Sequence, residues 1–330
     1  MVYRRGSASM KPDSFPSCFG EHEALQFNLY GSTANSVICL YEIKMLGHCR
    51  PMSVTWCKTL LGQGFSISID DTSSHCMCTI DIKPWLFWGK QGSKAVNVEG
   101  KKMQVFWNLA SAKYMYGPEP QEGFYVAIVC EQEIILFLGD MHQEALRKLK
   151  FTPSQMACTL LSKKEHLFGR KVYSTKAQFG EKGMTHDIAI ECHTEDSIEP
   201  QLCIRVDEQT VVEVQHLTWK FRGNQTISVD NLEVEVFWDV YNWLFNSNDR
   251  NAVFMFQTFS DSIENSRNKT SGRSSQSLLF QWSSFKDKET KWFTESSCAS
   301  VLQWPNSQSF KGTSQRVSSF SLLLYAWKCE

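Results

Sequence analysis

The sequence predicts an all-β protein made of two tandem antiparallel β-sandwich-like domains from an internal duplication, with one short helix between them. Three observations predict it. Segments rich in Val, Ile, Phe, Tyr and Trp, separated by Gly, Asn, Asp or Pro clusters, recur every ~8 to 12 residues from Ser36 onward, the spacing of antiparallel strands. Two stretches roughly 130 residues apart follow one order of motifs, the signature of an internal repeat. In both, a Phe-Trp pair (Phe106-Trp107 and Phe237-Trp238) sits on a strand whose apolar residues alternate with polar or exposed positions.

The elements follow in order. Residues 1–34 read as an N-terminal extension, partly disordered, and 35–150 as the first β-domain, ending in a helix. That helix runs from about Gly139 to Lys150, because Met141, Ala145, Leu146 and Leu149 recur at helical spacing. Asp140 is its expected N-cap, and Arg147, Lys148 and Lys150 suit the negative end of its dipole. Residues 151–260 read as the second β-domain, 261–318 as a polar loop or disordered insert, and 319–330 as a strand that closes the second domain.

The repeat is specific enough to assign faces. The first copy runs Ile67-Ser-Ile-Asp70, Trp85-Leu-Phe-Trp-Gly89, then Val96 to Leu109; the second runs Ile204-Arg-Val-Asp207, Trp219-Lys-Phe-Arg-Gly223, then Ile227 to Val240. Met103, Val105, Trp107 and Leu109 share one face of their strand, as do Val234, Val236, Trp238 and Val240, so both Trp residues are expected in cores. Phe106 and Phe237 point the other way. Upstream, Glu99-Gly100 and Asp230-Asn231 take the place of a two-residue hairpin turn with positive φ.

Composition narrows the class. The 330 residues are 42% hydrophobic and 13% aromatic, enough to fill two cores. Thirty-four basic against thirty-five acidic residues leave a net charge of −1, so no global field draws the chain to nucleic acid. The sequence has no apolar run of membrane-spanning length, and Met1 to Gly20 has no signal-peptide core, which points to an intracellular protein, cytoplasmic or nuclear, that is not transmembrane. The twelve cysteines then read as reduced thiols, Cys39 and Cys130 as small hydrophobes within strands, and Asn224-Gln-Thr226 and Asn268-Lys-Thr270 as unglycosylated.

These residues resemble the plant family known as the domain of unknown function 868 family. The resemblance spans nearly the whole chain and rests on Ser17 to His22, Val54-Thr-Trp-Cys-Lys58, Gly117-Pro-Glu-Pro120, Glu122 to Val126, Leu138-Gly-Asp140 and Glu165-His166. It continues through Tyr173 to Phe179, His186-Asp-Ile188, Trp219 to Asn224, Phe237-Trp-Asp-Val240 and Leu324 to Lys328. It implies a plant source and no particular chemistry. After Phe256 the chain departs from the family pattern, with Ser260-Asp-Ser-Ile-Glu264 in place of a Gly-Leu-Asp-Ser-Arg-like stretch.

The candidate sites are few. His75-Cys76-Met-Cys78 and Cys192-His193 come closest to a metal set but form no Cys-x-x-Cys pair, so no metal or cofactor is expected. Glu165-His166 and His186-Asp187 supply an acid and an imidazole, yet neighbours on a strand face opposite ways and no Gly-x-Ser-x-Gly elbow accompanies them. Gly62-Gln-Gly64 and Gly89-Lys-Gln-Gly92 are isolated turn glycines. In Trp219-Lys-Phe-Arg222, aromatics facing a core would send Lys220 and Arg222 together to the outer face, where they suit an anionic group; the first copy has Leu86 and Trp88 at those positions.

The expected function is therefore non-enzymatic, a protein-interaction or scaffold role with an unidentified protein partner. The alternative is a β-sandwich binder of an anionic lipid or a carbohydrate through Lys220, Arg222 or Trp88. An uncharacterised enzyme comes third.

Overall fold

The computed structural model describes residues 35–59, 62–70, 76–82, 89–115, 117–149, 158–180, 183–193, 199–246, 251–260 and 317–329. The N-terminal extension 1–34, nearly all of the polar stretch 261–318, and Trp85, Leu86, Trp88 and His75 lie outside these residues. The first half holds β1 (Asn35–Met45), β2 (His48–Thr59), β3 (Gly62–Asp70), β4 (Cys76–Ile82), β5 (Gln91–Val98), β6 (Lys101–Asn108), β7 (Lys113–Tyr114), β8 (Pro120–Glu122), β9 (Tyr125–Cys130), β10 (Glu133–Gly139) and α1 (His142–Leu149). The second holds β11 (Cys158–Gly169), β12 (Val172–Gln178), β13 (Thr185–His193), β14 (Gln201–Val206), β15 (Gln209–Val214), β16 (Arg222–Val229), β17 (Leu232–Asp239), α2 (Tyr241–Phe245), β18 (Asn251–Ser260) and β19 (Val317–Lys328). The protein is all-β, as its alternation predicts.

One sheet runs through both halves. Its nine strands lie in the order β16-β17-β18-β19-β11-β1-β2-β3-β4, and two four-stranded sheets, β10-β9-β6-β5 and β12-β13-β14-β15, accompany it. A single cross-strand row shows how they stack: Val236, Phe256, Leu322, Lys163, Cys39, Val54, Ile67 and Ile80 are successive partners from β17 to β4 and so share one face. On that face Val236, Phe256 and Leu322 belong to a core with Ile188, Ile190 and Ile204 of one small sheet. Cys39, Val54, Ile67 and Ile80 belong to a core with Val105, Val126 and Ile128 of the other. The long sheet is thus a floor carrying both small sheets on the same side, and β11 crosses between the two cores.

The Phe-Trp strands sit where their parity puts them. Met103, Val105, Trp107 and Leu109 are buried, and so are Val234, Val236, Trp238 and Val240. Glu99 and Gly100 have φ of 49° and 77°, Asp230 and Asn231 of 50° and 62°, as a mirror-image two-residue turn requires. Trp107 Nε1 donates to Gly89 O at 2.8 Å and Trp238 Nε1 to Lys220 O at 3.0 Å. Phe106, on the far face of β6, packs in a small cluster with Tyr125, Ala127 and Ala145, the last from α1.

Three local expectations change. Strand register pairs Gly92 with Trp107 and Gly223 with Trp238, so the counterpart of Gly223 is Gly92 and that of Arg222 is Gln91, not Trp88. Gly89, the expected match of Gly223, therefore stands three residues before its structural counterpart Gly92. Asp140 turns its carboxylate away from α1: Oδ1 accepts the Gly123 and Phe124 amides at 2.8 and 3.1 Å, which ties the end of β10 to the start of β9. A second helix, α2, follows β17 and roofs one end of the second core through Trp243.

Candidate functional site

The Trp219 segment is a turn, not a strand. β15 ends at Val214, Leu217 plugs the core with its amide on Pro200 O at 3.1 Å, and His216 takes φ of 55°. The Trp219 and Lys220 amides both donate to His216 O, at 2.9 and 3.1 Å. Beyond the turn, the Lys220 carbonyl is held by the Trp238 indole and the Phe221 carbonyl by the Val240 amide at 2.9 Å. Pinned on both sides, the turn leaves Trp219 86% exposed. The expected core position of Trp219 is therefore wrong, and its physical reason is the reversal at His216, which breaks strand parity before β16 begins.

Lys220 and Arg222 accordingly do not project together from one strand. Lys220 is exposed in the turn. Arg222 opens β16, where its Nε donates to Asp239 Oδ2 at 2.9 Å and its guanidinium stands 5.5 Å from the ring centres of both Phe221 and Tyr241. Phe221 meets Phe245 edge-on at 5.7 Å and Tyr241 at 5.6 Å, and Tyr241 and Phe245 are 5.2 Å apart. Phe245 remains 52% exposed.

The platform under this surface is rigid. Trp243 of α2 donates its indole N–H to Ala326 O at 3.0 Å and stacks on Tyr173 at 5.0 Å, and Asn242 Nδ2 donates to Asn251 Oδ1 at 3.0 Å. Tyr241 and Phe245 escaped sequence reasoning. Their signal was the i, i+4 aromatic pair directly after Asp239, whose Oδ1 accepts the Tyr241 amide at 3.0 Å.

A second polar centre lies where β11 crosses the floor. Lys163 Nζ meets Glu119 Oε2 at 2.8 Å and Glu165 Oε1 at 2.5 Å, and the Thr175 hydroxyl donates to the other oxygen of Glu165. Burial alone would lower the Lys163 pKa, but the two carboxylates outweigh it and hold the ammonium charged. Burial raises the Cys39 thiol beside it. An adjoining cavity of about 30 Å³ has room for a water or two and is bordered by Val37, Gly117 and Glu119. Glu119, Glu165 and Thr175 come from three of the motifs that carry the family resemblance; the two carboxylates converge on Lys163, and Thr175 holds one of them.

The remaining pairs are separated or differently engaged. Glu165 faces the floor's core side, whereas His166 faces the other, stacked on Tyr325 at 5.1 Å and accepting the Trp327 indole N–H at Nδ1 over 3.1 Å. His186 binds Asp207 and Asp230, while its neighbour Asp187 pairs with Lys176 at 3.1 Å. Cys76 Sγ lies 3.1 Å from Thr79 Oγ1, and Cys192 is buried in the second core, on another sheet. Among the described residues no helix is long and apolar enough to cross a membrane.

These features define an all-β protein in which a continuous sheet carries two sandwich cores, with an aromatic surface at one end of the second. The chain belongs to the family described as plant protein of unknown function (DUF868), whose model matches residues 32–328. No curated protein and no solved structure gives a match.

Proposed function

We propose that the chain is a non-enzymatic interaction protein that docks a partner protein on the surface formed by Trp219, Phe221, Tyr241 and Phe245. The observation that carries this reading is Trp219, 86% exposed on a turn whose flanking carbonyls and amides are hydrogen-bonded to the core. A large exposed ring on a fixed backbone turn offers its apolar area to a partner at the cost of ordering only two side-chain torsions, and Trp, Tyr and Arg are the side chains that dominate protein interfaces. Supporting a non-enzymatic role, the imidazoles of His166 and His186 are each engaged, by Trp327 and by two aspartates. Cys39, Cys130 and Cys192 packed as core hydrophobes suit an intracellular setting, cytoplasmic or nuclear.

Affinity capture from plant tissue tests it. The unmodified chain should retain a reproducible partner, and Trp219→Ala with Phe245→Ala should weaken capture by ~10-fold or more. Equal capture by the double variant removes the reading. Exposed Lys220 beside Trp219 favours a second reading, an anionic lipid or carbohydrate, which vesicle flotation and glycan binding with Lys220→Ala would register.

We also infer that the two halves descend from one β-domain by duplication. Supporting this are the matched pairs Gly92–Trp107 and Gly223–Trp238, and the identical order of β10-β9-β6-β5 and β19-β18-β17-β16.

A further inference from the structure

At the end of the second half opposite Trp219, one side chain joins two hairpin turns. His186 Nδ1 lies 2.6 Å from Asp207 Oδ2, in the β14–β15 turn of the small sheet, and Nε2 lies 2.8 Å from Asp230 Oδ2, in the β16–β17 turn of the long sheet. The His186 side chain is 5% exposed. Each carboxylate is also tied by backbone: Asp207 Oδ1 accepts the Asp187 amide at 2.9 Å, and Asp230 Oδ2 accepts the Met184 amide at 3.0 Å. Ionised carboxylates only accept hydrogen bonds, so both ring nitrogens must donate, and only the imidazolium carries two N–H groups.

The first half has a different residue in the same place. Met52 pairs with Ile69, just before Asp70, as Ile188 pairs with Val206, just before Asp207; two residues upstream of Met52 and Ile188 stand Arg50 and His186. Arg50 reaches across in the same manner, its Nη2 2.8 Å from Glu99 Oε2, and Glu99 holds the turn position that Asp230 holds in the second half. A guanidinium keeps its charge at any pH the fold survives. An imidazole does not.

We propose that His186 is a titratable clasp between the two sheets of the second half, closed while its ring is charged and released when the ring loses a proton, whereas the Arg50–Glu99 counterpart stays closed throughout. The charged groups facing the ring are Asp207 and Asp230; Lys176, paired with Asp187, acts on Asp207, and the ring's apolar neighbour is Phe179 at 6.2 Å. Burial alone would disfavour the charged ring, but the hydrogen bonds to Asp207 and Asp230 outweigh it and raise its pKa above the ordinary 6.5. A raised folded-state pKa makes the clasp complete below about pH 6.5 and lost as pH rises through the raised value. On the acid side, the His186 hydrogen bonds lower the pKa of both aspartates, so the clasp persists above about pH 3.8 and fails only as pH falls through their depressed values.

Hydrogen exchange by mass spectrometry on the unmodified protein, from about pH 6 to about pH 9 and corrected for intrinsic rates, tests this. Protection of Met184–Asp187 and of the Asp230–Asn231 turn should fall by roughly fivefold across the range, while the Glu99–Gly100 turn keeps its protection. His186→Arg, which supplies the permanent cation of the first half, should make the second-half profile flat and protected; His186→Gln should make it flat and open. Parallel behaviour of the two turns in the unmodified protein overturns the proposal, whether or not the variants fold. Retention of the pH response in His186→Gln does the same.

Discussion

Gly223 is the ground on which Trp238 rests: a methyl group on Gly223 would stand 2.4 Å from Cζ2 of the indole, and the same contact between Gly92 and Trp107 measures 2.6 Å. Each ring lies over its cross-strand glycine while its N–H reaches a carbonyl eighteen residues upstream. Alanine at either glycine should therefore act as overpacking, costing about 1–3 kcal/mol in chemical denaturation. Stability within a few tenths of a kcal/mol of the parent would show that the ring is free to shift.

Lys163 joins the two cores electrostatically. Replacing it with Met would leave Glu119 and Glu165 without their cation on the core face of the floor, and should destabilise the protein by about 3–5 kcal/mol. Thr175→Val removes only the hydroxyl donor to Glu165 and should cost about 1.5–3 kcal/mol. Denaturant midpoints of the two variants, with the first shifted further, check the order.

His166 gives the opposite sign to His186. Burial, reinforced by the Lys164 charge, lowers its pKa to about 4. A neutral folded-state imidazole facing an unfolded-state pKa near 6.5 means that stability falls as pH drops from about 6.5 to about 4, by on the order of 3 kcal/mol in full. His166→Gln lacks this proton uptake, so its stability relative to the parent should improve steadily over that interval in melts at constant ionic strength.

Two tryptophans near the same end separate binding from folding. Trp219→Ala, at a surface position, should leave stability within about ±0.5 kcal/mol. Trp243→Ala empties a buried site that stacks on Tyr173 and holds Ala326, and should cost about 3–5 kcal/mol. Thermal denaturation of the pair suffices.

The aromatic surface was only half legible. Trp219, Lys220 and Arg222 form a visible motif, but unbroken strand parity would turn Trp219 inward, and the structure turns it out. His216 takes φ of 55° in Gln215-His-Leu-Thr218, where no Gly, Pro, Asn or Asp announces a turn. The same holds for the β9–β10 turn, where Glu131 and Gln132 take φ of 50° and 71° although neither is a residue that favours that region. Glu99-Gly100 and Asp230-Asn231 were readable because Gly and Asn tolerate it.

By itself the sequence determined the strands, the inward set of each Phe-Trp strand and the hairpins that precede them. Those properties follow from period-two alternation and turn chemistry within a dozen neighbours. Only the tertiary structure decided that β11 pairs with both β1 and β19, merging two sandwiches over one floor, and that Lys163 collects Glu119 and Glu165. It also decided that Arg50 and His186 perform one task with different chemistry. Each of these rests on contacts between strands far apart in the chain, such as Trp327 with His166, whose register is set by packing on a shared face and has no local signature.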